Sequence, residues 1–217
     1  MTEVQTCALP ISGRDFYTTD DKGLFSMEVS DDRVRIIAVF MDTFDNKFAD
    51  FTKVFRVKKG QTLYSKIVLR LKPTPKPFNS SEPFDVPLGD EGGYSGFGEI
   101  KIPNNAMLNE DGTAYSGPAN LRLSLLDPRN MSDIITAPGD FSTINEDGEE
   151  QMLVTYGMIT LNFEDERGKK LSTSKSIKML LDPEKLNISV DSNGNTTTKL
   201  WWLDEATGRS EERRVGK

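Results

Sequence analysis

Apolar and polar residues alternate with a period of two through two stretches in the middle of the chain. Leu121, Leu123 and Leu125 alternate with Asn120, Arg122 and Ser124, and Ile159, Leu161 and Phe163 alternate with Thr160, Asn162 and Glu164. Successive side chains of a strand point to opposite faces, so this pattern predicts two strands, each with one buried face. Leu153 shares the parity of the second apolar set and is assigned to it. The two strands are expected to face each other across a polar, glycine-marked connection. Asp127-Pro128 should end the first, because proline cannot extend a ladder and restricts the residue before it.

Other strands are expected on either side of this pair. Residues 34–40 (VRIIAVF) form a near-continuous apolar run, the pattern of a central strand covered on both faces. A turn carrying polar and glycine residues near Lys22-Gly23 precedes it, with a strand expected through Val29. Residues 48–57 and 62–71 read as a hairpin turning at Lys58-Lys59-Gly60-Gln61. Five prolines, Pro73, Pro75, Pro77, Pro83 and Pro87, then predict a stiff extended linker over residues 73–88. Beyond it, residues 98–102 form a short strand closed by Pro103, and residues 104–117 a loop with a turn at Asp111-Gly112. Residues 171–181 read as one strand with Ile177, Met179 and Leu181 on one face, stopped by Asp182-Pro183. Residues 199–204 form a last strand, with Trp201 and Trp202 on opposite faces and core packing expected. No stretch has convincing amphipathic helical periodicity. The fold class is all-β: part of a β-sandwich in 13–72, the linker 73–88, and a larger antiparallel β-sandwich in 89–208.

The two ends stand apart from these patterns. Residues 4–12 (VQTCALPIS) and 209–217 (RSEERRVGK) resemble translated sequencing-adapter sequence, so 1–12 and 209–217 are set aside. On that reading the natural sequence extends past both ends, and Cys7, the single cysteine, is not part of it.

Composition narrows the chemistry. Histidine is absent, which removes histidine-activated nucleophiles, histidine general bases and the usual zinc sites. The net charge of −7, without Lys/Arg clusters, argues against nucleic-acid partners. No apolar run approaches the length of about 18 residues needed to span a bilayer. Asp191-Ser192-Asn193-Gly194-Asn195 superficially suggests a calcium loop, but Thr196 and Trp202 stand where an EF-hand needs glycine and a bidentate glutamate. An Asn-Gly turn is the better reading. The acidic loops 109–112 and 145–150 could pool into a cation or basic-partner site, against the commoner role of solvated turns. No catalytic, metal or cofactor residues are assigned. Four Asn-x-Ser/Thr triplets, at Asn79, Asn130, Asn187 and Asn195, are candidate N-glycosylation sites in or beside expected loops.

The stretch TTDDKGLFSMEV followed by IIAVFMDTFDNKFADFTKVFRV resembles the second half of a transthyretin-like, carboxypeptidase-regulatory-type β-sandwich. Further on, GEIKIP, DGTAYSG, LDPRNMS, TYGM, FEDE and KLWWLDEATG occur in one order. Together these resemble the cartilage intermediate layer protein family, with DPRNMS and TYGM as the most specific elements. The resemblance implies a secreted extracellular-matrix glycoprotein, non-enzymatic, acting through protein partners such as matrix components or growth factors. Two other classes stay open. One is a receptor or microbial cell-surface adhesion ectodomain. The other is a carbohydrate-binding accessory module, which would expose Trp201 or Trp202.

Overall fold

The computed structural model describes residues 6–10, 17–28, 35–42, 45–89, 96–145, 147–193, 200–204 and 208–213. Its elements run β1 (Thr6–Pro10), β2 (Tyr17–Thr18), β3 (Arg35–Asp42), β4 (Phe51–Arg56), β5 (Lys76–Asn79) and β6 (Phe84–Leu88). Next come β7 (Gly98–Ile102), β8 (Met107–Leu108), β9 (Pro118–Leu126), a single turn of helix α1 (Met131–Ile135), β10 (Ser142–Ile144) and β11 (Glu150–Met152). The remainder are β12 (Met158–Asp165), β13 (Lys170–Thr173), β14 (Lys178–Leu181), β15 (Leu200–Asp204) and β16 (Arg209–Arg213). The chain is all-β, as its alternation predicts, and every strand pair named here is antiparallel.

These elements form two compact units that interleave in sequence. One comprises Met1–Lys72, Met131–Val154 and Thr198–Lys217; the other comprises Pro73–Asn130 and Thr155–Thr197. Residues 131–154 and 198–208, expected in the second sandwich, therefore lie with the first unit.

The unit built from Pro73–Asn130 and Thr155–Thr197 is a β-sandwich. Its larger sheet has the order β5-β9-β12-β13-β8 and its smaller sheet the order β14-β7-β6. The central ladder is the expected one: Leu121 pairs with Phe163, Leu123 with Leu161 and Leu125 with Ile159. Leu121, Leu123, Leu125, Phe163 and Leu171 from the larger sheet meet Val86, Leu88, Ile100 and Ile102 from the smaller one in a single core. Fully burying an aliphatic or aromatic side chain stabilises by about 1.5–3 kcal/mol, so this layer holds the sandwich together. Leu153 is not in β12, which starts at Met158; it lies in the other unit, where its amide donates to the Phe141 carbonyl at 2.7 Å.

Residues 76–79 and 84–88 are strands rather than linker. Both are edge strands, β5 beside β9 and β6 beside β7, with Pro77 opposite Asn120 and Pro87 opposite Glu99. An edge strand needs only one of its two sides for the ladder, so a proline without an N–H is tolerated there. Phe78 and Phe84 stack across the connection at 4.9 Å between centroids. Buried Ser80 fixes the crossing from one sheet to the other. Its amide donates to the Gly117 carbonyl (2.9 Å), its carbonyl accepts from the Asn105 amide (2.7 Å), and its hydroxyl accepts from the Gly117 amide (3.0 Å).

Residues 171–181 also differ from expectation. They split into β13 in the larger sheet and β14 in the smaller one, separated by residues 174–177. Proline closes strands where expected, with β9 ending before Asp127-Pro128 and β14 before Asp182-Pro183.

In the other unit, one sheet has the order β2-β1-β3-β4. β3 is interior, as its apolar run predicts, but Ile36, Ala38 and Phe40 are fully buried while Ile37, Val39 and Met41 are half-buried. Phe25 meets Phe40 edge-on at 5.5 Å between centroids. The turn at residues 58–61 forms, the Gln61 amide donating to the Lys58 carbonyl at 3.0 Å. Residues 62–70 do not form the expected second strand; what returns along β4's approach is one bridge, Phe48 with Leu71. Nor do residues 24–28 form a strand; Val29 lies outside the described residues. The terminal segments set aside above carry β1, paired with β2 and β3, and β16, paired with β15.

Candidate functional site

The two most specific sequence motifs meet at one end of the central β9–β12 ladder, where Leu126 pairs with Met158. Pro128 stops β9, and the chain turns through Asp127-Pro128-Arg129-Asn130, with the Asn130 amide donating to the Asp127 carbonyl at 3.0 Å. The buried Asp127 carboxylate accepts from the Arg129 backbone amide (2.9 Å), from its Nε (2.8 and 3.0 Å) and from its Nη2 (2.5 Å). The guanidinium also lies 5.6 Å from the centre of the Phe97 ring. Charge-assisted hydrogen bonds of this kind favour the ionised acid, and Arg129 holds the Asp127 carboxyl below its usual range against the opposing effect of burial. Across the ladder, the Thr155 hydroxyl donates to the Gly157 carbonyl (3.0 Å) and accepts from the Gly157 amide (3.1 Å), setting the entry to β12. DPRNMS and TYGM therefore act as clips. They close the turn by which the chain leaves this sandwich at Asn130 and the one by which it returns at Thr155.

The acidic loops belong to different units, and Glu110, Asp111, Glu149 and Glu150 each contact neighbours within their own unit. In the loop 109–112, Asp111 accepts from the Thr113 amide (3.0 Å) and hydroxyl (2.6 Å), and the hydroxyl is the main reason its carboxyl is lowered. Glu110 lies 3.3 Å from the Lys169 ammonium. In the loop 145–150, the Asn145 side chain accepts from the amides of Asp147 (3.1 Å) and Glu149 (2.7 Å). Glu150 and Asp140 both accept from the Arg56 guanidinium, at 2.5 to 3.0 Å. Arg56 lowers the Glu150 carboxyl. A second arginine, Arg70, donates to the buried Asp133 of α1 at 3.2 Å. Sequence reasoning misses both arginine contacts, because the partners stand 63 to 94 residues apart with no local pattern to link them. Among the described residues, no group of three or more His, Cys, Asp or Glu could hold a metal ion.

The candidate asparagines occupy dissimilar settings. Asn79 is exposed at the end of edge strand β5, and its side-chain oxygen accepts from the Ser81 amide at 3.0 Å. Asn187 is exposed in the turn after β14, at a φ of 56°. Asn130 is half-buried in the Asp127–Arg129 turn. Asn195 lies outside the described residues, as does Gly194 of the expected Asn-Gly turn; of that turn, Asp191 accepts from the Asn193 amide at 2.9 Å. Trp201 is half-buried and Trp202 is 60% exposed, so core packing does not describe the second indole. No helix among the described residues is long and apolar enough to cross a membrane.

Comparison with known proteins bears out the resemblance carried by the motifs. The chain is 31% identical to cartilage intermediate layer protein 1 of Homo sapiens over 195 residues, 89% of this chain. It is 27% identical to cartilage intermediate layer protein 2 of Homo sapiens over 196 residues, 88% of this chain. The Sus scrofa cartilage intermediate layer protein 1 is 33% identical over 126 residues, covering 58% of this chain and 20% of that protein. The chain spans about 16% of the length of the two human relatives. No family model and no solved structure matches it.

Proposed function

We propose, on the premise that this chain is a relative of the cartilage intermediate layer proteins, that it is a non-enzymatic module of an extracellular-matrix protein and acts by binding other proteins. The observation that carries this reading is the 31% identity running through 89% of the chain, across both units. The architecture supports it in a general way. A sandwich whose specific motifs clip turns, and whose turn carboxylates Asp127, Glu110 and Asp111 are tied to arginine, lysine and threonine, offers surface rather than reactive groups. Fold alone does not name a partner. The partner class we assign is matrix protein or growth factor, the protein being secreted and glycosylated, with residues 13–72 part of a transthyretin-like sandwich.

The test is capture. The full chain, immobilised and exposed to a salt extract of connective-tissue matrix, should retain a matrix protein or a growth factor that elutes with free chain. A surface that retains neither would overturn the reading, as would hydrolysis of a glycan or peptide substrate by the purified chain.

One observation favours a second reading. Trp202 presents an indole to solvent on β15, and exposed aromatic faces suit sugar stacking. If the chain is a carbohydrate-binding module, its migration in affinity electrophoresis slows in gels containing a matrix polysaccharide, and Trp202→Ala restores free migration. Equal migration of both proteins sets that reading aside.

A further inference from the structure

The sequence offers several glycan acceptors of identical local pattern, and the fold separates them. An N-linked glycan forms when the asparagine Nδ2 displaces a lipid pyrophosphate from C1 of a lipid-linked oligosaccharide. The N–C1 bond forms, the C1–O bond breaks, one amide proton is lost, and the lipid pyrophosphate leaves. The folded chain can keep the product only where the asparagine side chain faces solvent, because the attached sugar is bulky and hydrophilic.

Asn187 meets that requirement most fully. Its turn is closed by the Asn187 amide on the Glu184 carbonyl (3.1 Å) and the Ile188 amide on the Pro183 carbonyl (2.8 Å). Buried Leu186 and half-buried Ile188 anchor the turn in the sandwich core. Asn187 and Ser189 alternate with them and are exposed. Asn79 follows the same logic on edge strand β5. Phe78 and Ser80 on either side of it are buried, while Asn79 is exposed. Its side-chain oxygen accepts from the Ser81 amide, a bond that does not use the nitrogen. Asn130 differs: it is half-buried, and its backbone closes the turn in which Asp127 and Arg129 are bound to each other.

We propose that Asn187 and Asn79 carry N-linked glycans and that Asn130 does not. The inference rests on the extracellular reading, since the transfer takes place only along the secretory route. The experiment expresses the full chain behind a secretory leader in mammalian cells and treats it with peptide N-glycosidase in heavy-oxygen water. Peptide mass spectrometry then reads which asparagines have become labelled aspartate. Most copies should be labelled at Asn187 and Asn79 and few at Asn130. Asn187→Gln and, independently, Ser189→Ala should each remove one glycan step on a gel. Unlabelled Asn187, or Asn130 labelled as fully as Asn187, would overturn the proposal. The cell-retained pool is read in the same way. Failure of secretion therefore counts against the extracellular reading while the labelling pattern still decides the sites.

Discussion

Replacing Gly98 by alanine should damage the sandwich more than a methyl added at Gly96, Gly112, Gly117, Gly157 or Gly168. Gly98 opens β7 opposite Leu181 of β14, at a φ of 146°. That backbone conformation is one that residues with a Cβ rarely adopt, and holding it costs of order 1–3 kcal/mol. The added methyl would also sit far inside contact distance of the Leu180 carbonyl oxygen, and 3.0 Å from both the Leu180 carbonyl carbon and the Leu181 Cα. Those atoms are backbone of the neighbouring strand, so relief requires β14 to move. Moving it weakens a ladder of four residue pairs, at about 1 kcal/mol per hydrogen bond lost. The combined cost is about 4 kcal/mol, a large part of the 5–15 kcal/mol that holds a typical domain folded. In a chain of this size it should lower the melting temperature by about 10 °C. The control is Gly112→Ala, at a φ of 81° with nothing within 4 Å of the new methyl, which should cost only about 1 kcal/mol. Paired urea and thermal unfolding would measure the difference. If the two variants are equally stable, the close approach of β14 to Gly98 is wrong.

Two other expectations follow from contacts in the same unit. Ser80→Ala removes the oxygen that accepts from the half-buried Gly117 amide, so the urea midpoint should fall by the equivalent of about 1 kcal/mol with the slope unchanged. Asp127 titrates below its ordinary value because of Arg129, so its contribution is present above the unfolded carboxylate value of about 4 and is lost as the pH drops through the lower folded value. Asp127→Asn should therefore be less stable than the parent at neutral pH and show a shallower loss as the pH falls below about 4; parallel curves would remove the Arg129 clip as the cause.

The alternation of Leu121, Leu123 and Leu125 with their polar neighbours foretells the strand and its buried face, because a one-residue slip would turn every leucine away from the core. The stops at Asp127-Pro128 and Asp182-Pro183 are legible for the equally local reason that proline has no amide to donate. The same rule misleads over residues 73–88. Whether a missing amide matters depends on which side of the strand a neighbour occupies, and that is decided by β9 and β7 far along the chain. The parity of Ile177, Met179 and Leu181 continues that of Leu171, so nothing local marks the point where the chain changes sheets between β13 and β14. The Arg56 clamp on Asp140 and Glu150 is likewise invisible in sequence, since exposed charges carry no period. The candidate asparagines are legible as triplets, but their ranking comes from which of their neighbours the core takes in.

The sandwich of Pro73–Asn130 and Thr155–Thr197 is written in two instalments, with its middle strands on either side of the gap. A protease that nicks the chain between them would leave two polypeptides but one body, because the eight residue pairs of β9 with β12 span the break. Such material would run as two bands on a denaturing gel and still travel as a single species through a sizing column. By the same token, this piece of the gene cannot be copied or discarded as a contiguous bead without carrying the intervening segment with it.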